Sequence, residues 1–506
     1  MRRVFGIETE YGITLNGVEQ VDVVRESIEI VRCYTEHGAA MKWDYDHEDP
    51  HMDARGFRAR ELLQDADEAA YYELDKNRPL SFEEIKSDLV LSNGARFYND
   101  HAHPEYATPE CSTLEEAVAQ DKAGERILHE CVRRRNSRLE GGCEVCIYKN
   151  NTDFVGHSYG CHDNYLMSRE APWEKIVRAV VPFLVTRQLY AGAGKMGIEG
   201  EQAPGPAGIY QISQRADFFS VLCSIDTMNR RPLVNTRDEP HADARLYRRL
   251  HVILGDSNMS EFATALKLGT TSLVLELIEK GVAPDLELLN PVQATRAVSR
   301  DQTQRWWVEL AGGGKMPGVE VQRLYLKAAQ RYCERDNADA RWTLEAWEEV
   351  LDDLEADPLK CKDRVDWVAK RCLIDELREA EHLDRADPWL QSVDLEYHNV
   401  SLEKGLHHAL VRAGSMRRFL SEEAIKNAIF QPPETTRAFF RGRAVARFSR
   451  EISSIQWDEV TFQCGDILSG VTLSRPAHDA ELDRVNGAMR EATSVTHLLR
   501  LVGQEA

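Results

Sequence analysis

The chain has 506 residues and 42% hydrophobic content, enough to bury a large core, and its 63 basic against 84 acidic residues leave a formal charge of −21. That balance excludes a general affinity for nucleic acid or anionic membrane, so an acidic partner has to meet a local basic patch. No apolar run approaches the roughly 20 residues that span a bilayer, the first residues, MRRVFGIETEYG, hold no apolar signal core, and the eleven cysteines follow no disulfide frame, all of which predicts a soluble cytoplasmic protein.

In chain order, Val4 to Ile13 alternates as a strand should, and so do Ala95 to Asp100, Glu144 to Lys149 and Leu250 to Leu254. Met41 to Asp88 is polar and aperiodic, with nine acids against four bases in residues 60 to 88, and is predicted to be a mobile insertion. Ser112 and Glu115 have capping-box spacing ahead of a helical pattern through Leu114, Val118, Ile127 and Val132. Cys143 and Cys146 have no second pair and no neighbouring histidines, and read as structural. Gly194-Lys195 and Gly312-Gly-Gly-Lys315 fail as phosphate loops, the first because Met196 stands where Ser or Thr would hold magnesium.

Ser260 to Lys280, closed by Gly281, reads as a buried helix. Residues 320 to 430 are nearly all helical, with Trp342, Trp347 and Trp367 as packing residues. Gln431-Pro-Pro433 breaks that run. The expectation is an α+β fold with a large domain over 1–430, carrying the 41–88 insertion, and a small C-terminal domain over 431–506.

Residues i and i+2 of a strand share a face, so Glu8 and Glu10 project together while Phe5, Ile7, Tyr11 and Ile13 pack behind them. The same spacing pairs Tyr98 with Asp100 and Arg249 with His251. Any one pair is also what the solvated face of an edge strand looks like. Three such pairs point to magnesium-bound phosphates, because a hard cation recruits oxygen ligands and leaves positions open for substrate. His103-Pro-Glu105, Ala107-Thr108 and His162-Asp-Asn164 are further candidates that are also ordinary loop chemistry. Arg237, near His241, is a carboxylate clamp or else a partner of Asp238 or Asp243.

Gly6-Ile-Glu-Thr-Glu-Tyr-Gly12, Asn93-Gly-Ala-Arg-Phe-Tyr-Asn-Asp100, His103-Pro-Glu-Tyr106, Tyr148-Lys-Asn-Asn151, Ser158-Tyr-Gly-Cys-His-Asp-Asn-Tyr165, Asn235-Thr-Arg-Asp-Glu-Pro-His241 and Arg248-Arg-Leu-His-Val252 together resemble the family of Pup ligases and Pup deamidases/depupylases, over nearly the whole chain. The resemblance implies a glutamine synthetase-like domain in which a curved antiparallel sheet, packed by helices, cradles magnesium ATP. It carries over Glu8, Tyr98, Glu105, His162 and His251 as magnesium ligands, and Ala107, Thr108, Asn164, Arg249, Trp457 and Glu10 as nucleotide contacts. Asp100 takes the catalytic place, as nucleophile or as base, and Arg237 and His241 are Pup contacts.

Lys42 to Phe57 resembles a loop of the deamidase/depupylase branch, although Thr9 is the residue more typical of the ligase. The implied activity is hydrolysis of the amide of Pup's C-terminal glutamine and of the isopeptide bond between Pup and lysine, with ATP as cofactor. An ATP-consuming Pup ligase and a non-enzymatic Pup-binding module are the rivals. Pup and pupylated proteins are the implied partners, with Arg230, Arg231, Arg237, Arg248 and Arg249 as a basic lining or as a structural ion-pair network, and the protein is expected to be a monomer.

Overall fold

A computed structural model describes residues 3–18, 21–34, 39–40, 42–46, 48–62, 76, 78–199, 208–227, 230–334 and 336–504. Its central element is a seven-stranded sheet of β1 (Phe5–Glu10), β2 (Ala39–Ala40), β3 (Leu89–Leu91), β4 (Arg96–Asp100), β5 (His103–Ala107), β6 (Cys161–Ser168) and β7 (Tyr247–Val252). Their order is β7-β6-β1-β5-β4-β3-β2, and every neighbouring pair is antiparallel.

One face of this sheet is apolar. Phe5 and Ile7 of β1, Tyr165 and Met167 of β6 and Leu250 of β7 enter a core with Val180 and Leu184 of α1 (Trp173–Ala191) and Leu266 and Leu273 of α2 (Glu261–Glu279). Ser260 caps α2 and Gly281 follows it at φ +68°, as its sequence predicts, and almost every residue of α2 is buried. Six further helices between Gly318 and Ala428 surround this core, with Trp347 and Trp367 fully buried and Trp342 packed against it.

Two boundaries differ from the sequence expectation. Alternation runs unbroken to Ile13, yet the chain leaves the main sheet at Tyr11, whose N–H donates to Pro104 O at 3.1 Å, and Gly12–Asn16 pairs instead with Glu144–Tyr148. Gly12 permits this, because a Cβ there would lie 2.4 Å from the Tyr159 hydroxyl. The capping box falls one residue later than expected: Thr113 accepts from Glu116 N, while Ser112 sits outside the helix against Thr435. Gly194-Lys195 is structural, since the buried Lys195 ammonium lies 2.7 Å from Asp217 and 3.0 Å from Glu199. Gly312 to Gly314 turn a hairpin whose Lys315 pairs with Glu309.

Residues 438 to 501 form a helix, a three-stranded antiparallel sheet and two further helices around Phe440, Val445, Phe462 and Leu498, with Val90 of β3 in the same cluster. Glu110 ties this unit to the main sheet, accepting from Arg437 Nε at 2.6 Å and from Arg441. Burial alone would raise the Glu110 carboxyl, but the two guanidinium groups bring it from the ordinary 4.5 down to about 2. A lowered folded-state value means that the stabilisation is present above pH 4.5 and disappears as pH falls toward 2. Glu110→Gln is therefore expected to cost about 3 kcal/mol at neutral pH and to flatten the acid limb of stability against pH, measured by urea unfolding.

Candidate active site

The opposite face of the sheet is polar, and strand register assembles it. Glu8 stands opposite both His162 and Ala107, Glu10 opposite Glu105, Tyr98 opposite Glu105, Asp100 opposite His103, and Asn164 opposite His251. Because partners across an antiparallel ladder share a face, five strands turn these side chains to one side of the sheet, where Glu8, Glu10, Tyr98, Asp100, Glu105, His162 and His251 line one open cleft.

Two groups of ligand atoms result, each lying within 4.8 Å of one another: Glu8, His162 and His251, and Glu10, Asp100 and Glu105. In the first, Glu8 lies 3.2 Å from His162 Nδ1 and accepts from Asn164 Nδ2 at 3.0 Å, while Asn164 Oδ1 lies 2.7 Å from His251 Nδ1 and accepts from Arg249 at 3.1 Å. Burial works against the charged Glu8, yet the His162 hydrogen bond and the Arg249 charge hold its carboxyl well below the usual range. Burial pushes His251 well below its ordinary value, which favours the neutral imidazole; with Nδ1 donating to Asn164 Oδ1, its lone pair is on Nε2, the atom left to act as a ligand.

The second group is all oxygen, the donor set that a hard divalent cation prefers. Two ionised carboxylates 4 Å apart repel by roughly 4 kcal/mol at the dielectric of a protein surface. The site divides that cost unequally. Burial, with the charges of Asp100, Glu10 and Glu8, drives Glu105 well above the usual carboxylate range. Asp100 is driven the other way: burial opposes its charge, but His101 at 3.2 Å and Lys86 at 2.7 Å hold it ionised. A cation shared between Glu105 and the Glu8 group would relieve the repulsion on Glu105, so Glu8, His162, His251, Tyr98 and Glu105 fit a magnesium ion.

Beside the cleft, across Glu8, lies a smaller and more apolar pocket, lined among others by Ala107, Thr108, Asn164, Arg249, His241 and Trp457. Trp457 comes from the C-terminal unit; its ring meets Trp43 edge-on at 5.2 Å, and the Arg441 guanidinium lies 4.8 Å from it. An apolar slot that opens onto carboxylates and arginines suits a purine with its phosphates turned toward the cleft.

The family model described as Pup-ligase protein matches residues 3–461. The chain belongs to that family. It is 43% identical to the "Depupylase" of Acidothermus cellulolyticus, over 98% of this chain and 99% of the relative, and 41% identical to the "Pup deamidase/depupylase" of Mycobacterium tuberculosis, over 98% and 99%. The "Pup--protein ligase" of Corynebacterium jeikeium is 44% identical over 74% of this chain and 83% of its own. Among solved structures, the complex of Pup with its ligase PafA superposes with a TM-score of 0.78 at 30% identity, covering 99% of this chain and 94% of that one. PafA with ADP gives 0.71 at 33%, covering 86% and 97%. The α+β architecture with its large antiparallel sheet is thus that of the Pup-ligase family.

In this Pup-ligase family member, the sequence-derived residues sort into three places. Glu8, His162 and His251 form one group, and Glu105 joins Glu10 and Asp100 in the other, with Tyr98 alongside. Glu10, taken in sequence as a nucleotide contact, accepts from Gly160 N at 2.8 Å within the carboxylate group, away from the apolar pocket. Ala107, Thr108, Asn164, Arg249 and Trp457 line the apolar pocket.

Arg237 and His241 face the cleft, and the two aspartates near Arg237 in sequence pair elsewhere, Asp238 with Arg169 at 2.8 Å and Asp243 with Arg245 at 2.9 Å. Arg237 Nε is buried with no partner among the described residues. Of the other arginines in that run, Arg231 and Arg249 reach the cleft, whereas Arg248 turns away and lies over Trp173. Arg215, Lys86 and Arg96 also line the cleft and were not among the residues chosen from sequence. Arg215 is buried, bonded to Ser158 Oγ and Ile253 O, and burial beside Arg231 pushes it down to about 10.

The insertion expected to be mobile is packed in its described part. Trp43 lies under the Arg96 guanidinium at 4.0 Å, Asp44 N bonds Ile455 O, and buried Asp53 accepts from Thr236 at 2.6 Å. Tyr45 and Glu48 reach the cleft itself. Residues 63–75, the centre of its acid-rich stretch, lie outside the described residues.

Proposed function

We propose that this chain is a Pup deamidase and depupylase. It converts the C-terminal glutamine of Pup to glutamate and hydrolyses the isopeptide bond that joins Pup to a lysine of its target, in the cytoplasm and as a monomer. The observation that carries this reading is the match of relatives with those activities in their names over 98% of the chain, whereas the named ligase matches 74%. The Trp43 segment resembling the deamidase branch, with Tyr45 and Glu48 at the cleft, supports it. Residues 1–430 form the catalytic domain in this reading and residues 431–506 the appended one that supplies Trp457.

Glu8, His162 and His251, with Glu105 and Tyr98, would hold magnesium, and the pocket at Ala107, Thr108, Asn164, Arg249 and Trp457 would hold ATP as a retained cofactor; support comes from a related ligase solved with ADP. Bound there, magnesium supplies polarisation of the amide oxygen and neutralises charge that gathers on it. Asp100 is ionised and faces the cleft, so its oxygen can attack the γ-carbonyl carbon; the C–N bond breaks as the amine takes a proton from solvent, and water then cleaves the resulting mixed anhydride, returning the Asp100 carboxylate and releasing the glutamate carboxylate and protons. Alternatively, Asp100 takes the proton of the attacking water directly. Arg237 and His241 lie where an acidic chain enters.

The test is to incubate the purified protein with glutamine-ended Pup, ATP and magnesium and follow by mass spectrometry the exchange of NH2 for OH. A Pup–lysine conjugate forms the second arm. Release of both amines without matching ADP is the expected result. Conjugates formed in step with ADP would show the ligase, and no turnover of either substrate would show a binding module.

A further inference from the structure

Lys86 takes no part in the sequence reading, yet its ammonium lies 2.7 Å from Asp100 Oδ1 and 5.9 Å from the centre of the Tyr98 ring. Most surface lysine pairs are interchangeable contacts of a flexible arm. This one is built. The short helix Phe82–Lys86 begins with a reciprocal capping box between Ser81 and Glu84, and ends at Ser87 in the left-handed region at φ +47°. Arg32 donates to Glu84 O at 3.2 Å and to Ser87 Oγ at 3.3 Å, while Asn99, the neighbour of Asp100 on β4, donates to Ile85 O at 3.1 Å. Phe82 meets the Tyr45 ring edge-on at 5.0 Å, which joins the helix to the Trp43 segment. The backbone carrying the ammonium is thereby fixed to the strand carrying the carboxylate.

We propose that Lys86 is a positioning residue for amide cleavage, acting through Asp100; this rests on the reading of Asp100 given above. Three carboxylates, Glu10, Asp100 and Glu105, converge within 4.8 Å, and an unpaired Asp100 would rotate away from the other two. Lys86 on one oxygen and His101 on the other hold the carboxylate plane fixed toward the cleft. The residues that line the nucleotide pocket do not include Lys86.

The test compares wild type, Lys86→Met and Lys86→Arg with glutamine-ended Pup under saturating ATP, with Asp100→Asn as the reference for a dead centre. Lys86→Met is expected to lower kcat on the order of 10²-fold, as misplacement of a reacting group does. KM for Pup and nucleotide affinity should stay within about twofold, and Lys86→Arg should recover most of the loss. A kcat for Lys86→Met within about threefold of wild type, while Asp100→Asn is dead, overturns the inference, as does a change confined to KM. If Lys86→Met does not fold, as seen by circular dichroism, Lys86→Gln takes its place with the same readouts. Wild type indistinguishable from Asp100→Asn would instead overturn the parent reading, and the inference with it.

Discussion

Asp100→Asn is expected to abolish both deamidation and depupylation, with a loss on the order of 10³-fold or more in kcat, while ATP affinity changes little. The substitution preserves shape and removes the charge that either mechanism needs. Asn can still accept from Lys86, so the local packing at the end of β4 should survive. Asp100 lies across β5 from the apolar pocket and does not line it, which is why nucleotide affinity should be retained. Single-turnover deamidation, together with titration of a fluorescent ATP analogue, checks both halves. Near-normal turnover would remove Asp100 from the chemistry; loss of nucleotide binding in parallel with activity would make it a ligand of the bound cation instead.

Much of this site was legible because a strand repeats every second residue. Glu8 with Glu10, Tyr98 with Asp100, and Arg249 with His251 do share faces. Periodicity cannot say which strands are neighbours, so the division into a Glu8 group and a Glu105 group depends on register between segments far apart in the chain, such as Glu8 opposite His162. The same limit explains the strand boundary: alternation continues through Tyr11, and what ends β1 there is Pro104 on another strand and Tyr159 beyond Gly12.

Lys86 and Arg215 escaped for a different reason. A five-residue helix has too few turns to show a period, and Arg215 stands at the start of a three-residue 3-10 helix, so nothing local marks either as facing the cleft. Composition shows no core within Met41 to Asp88, and in the described part of the segment Trp43, Tyr45 and Asp53 find partners outside it, at Trp457, Arg96 and Thr236, all distant in sequence. Removing that segment would therefore cost buried contacts as well as part of the cleft wall.

Glu8→Ala should act at an earlier step than Asp100→Asn, by weakening magnesium-nucleotide binding itself. Glu8 is the one carboxylate in its group and receives Asn164 at 3.0 Å, with His162 at 3.2 Å and the Arg249 guanidinium at 3.5 Å. Its carboxyl is held well below the ordinary range, so it is fully ionised at neutral pH and presents a full negative charge to a cation. Alanine removes that charge and leaves two imidazoles near Arg249, whose remaining acidic neighbour is Glu239 at 3.9 Å. Cation affinity then falls both from a lost ligand and from positive charge that Glu8 no longer offsets. A 10- to 100-fold weakening, roughly, is expected, and it should be seen in ATP titrations with magnesium but much less in its absence, where no cation bridges Glu8 to the phosphates. Glu8→Gln, which keeps the oxygen but not the charge, should fall between. Identical magnesium dependence in wild type and Glu8→Ala would mean that the cation sits among Glu10, Asp100 and Glu105 alone, and that the first group serves only to orient Asn164 and Arg249.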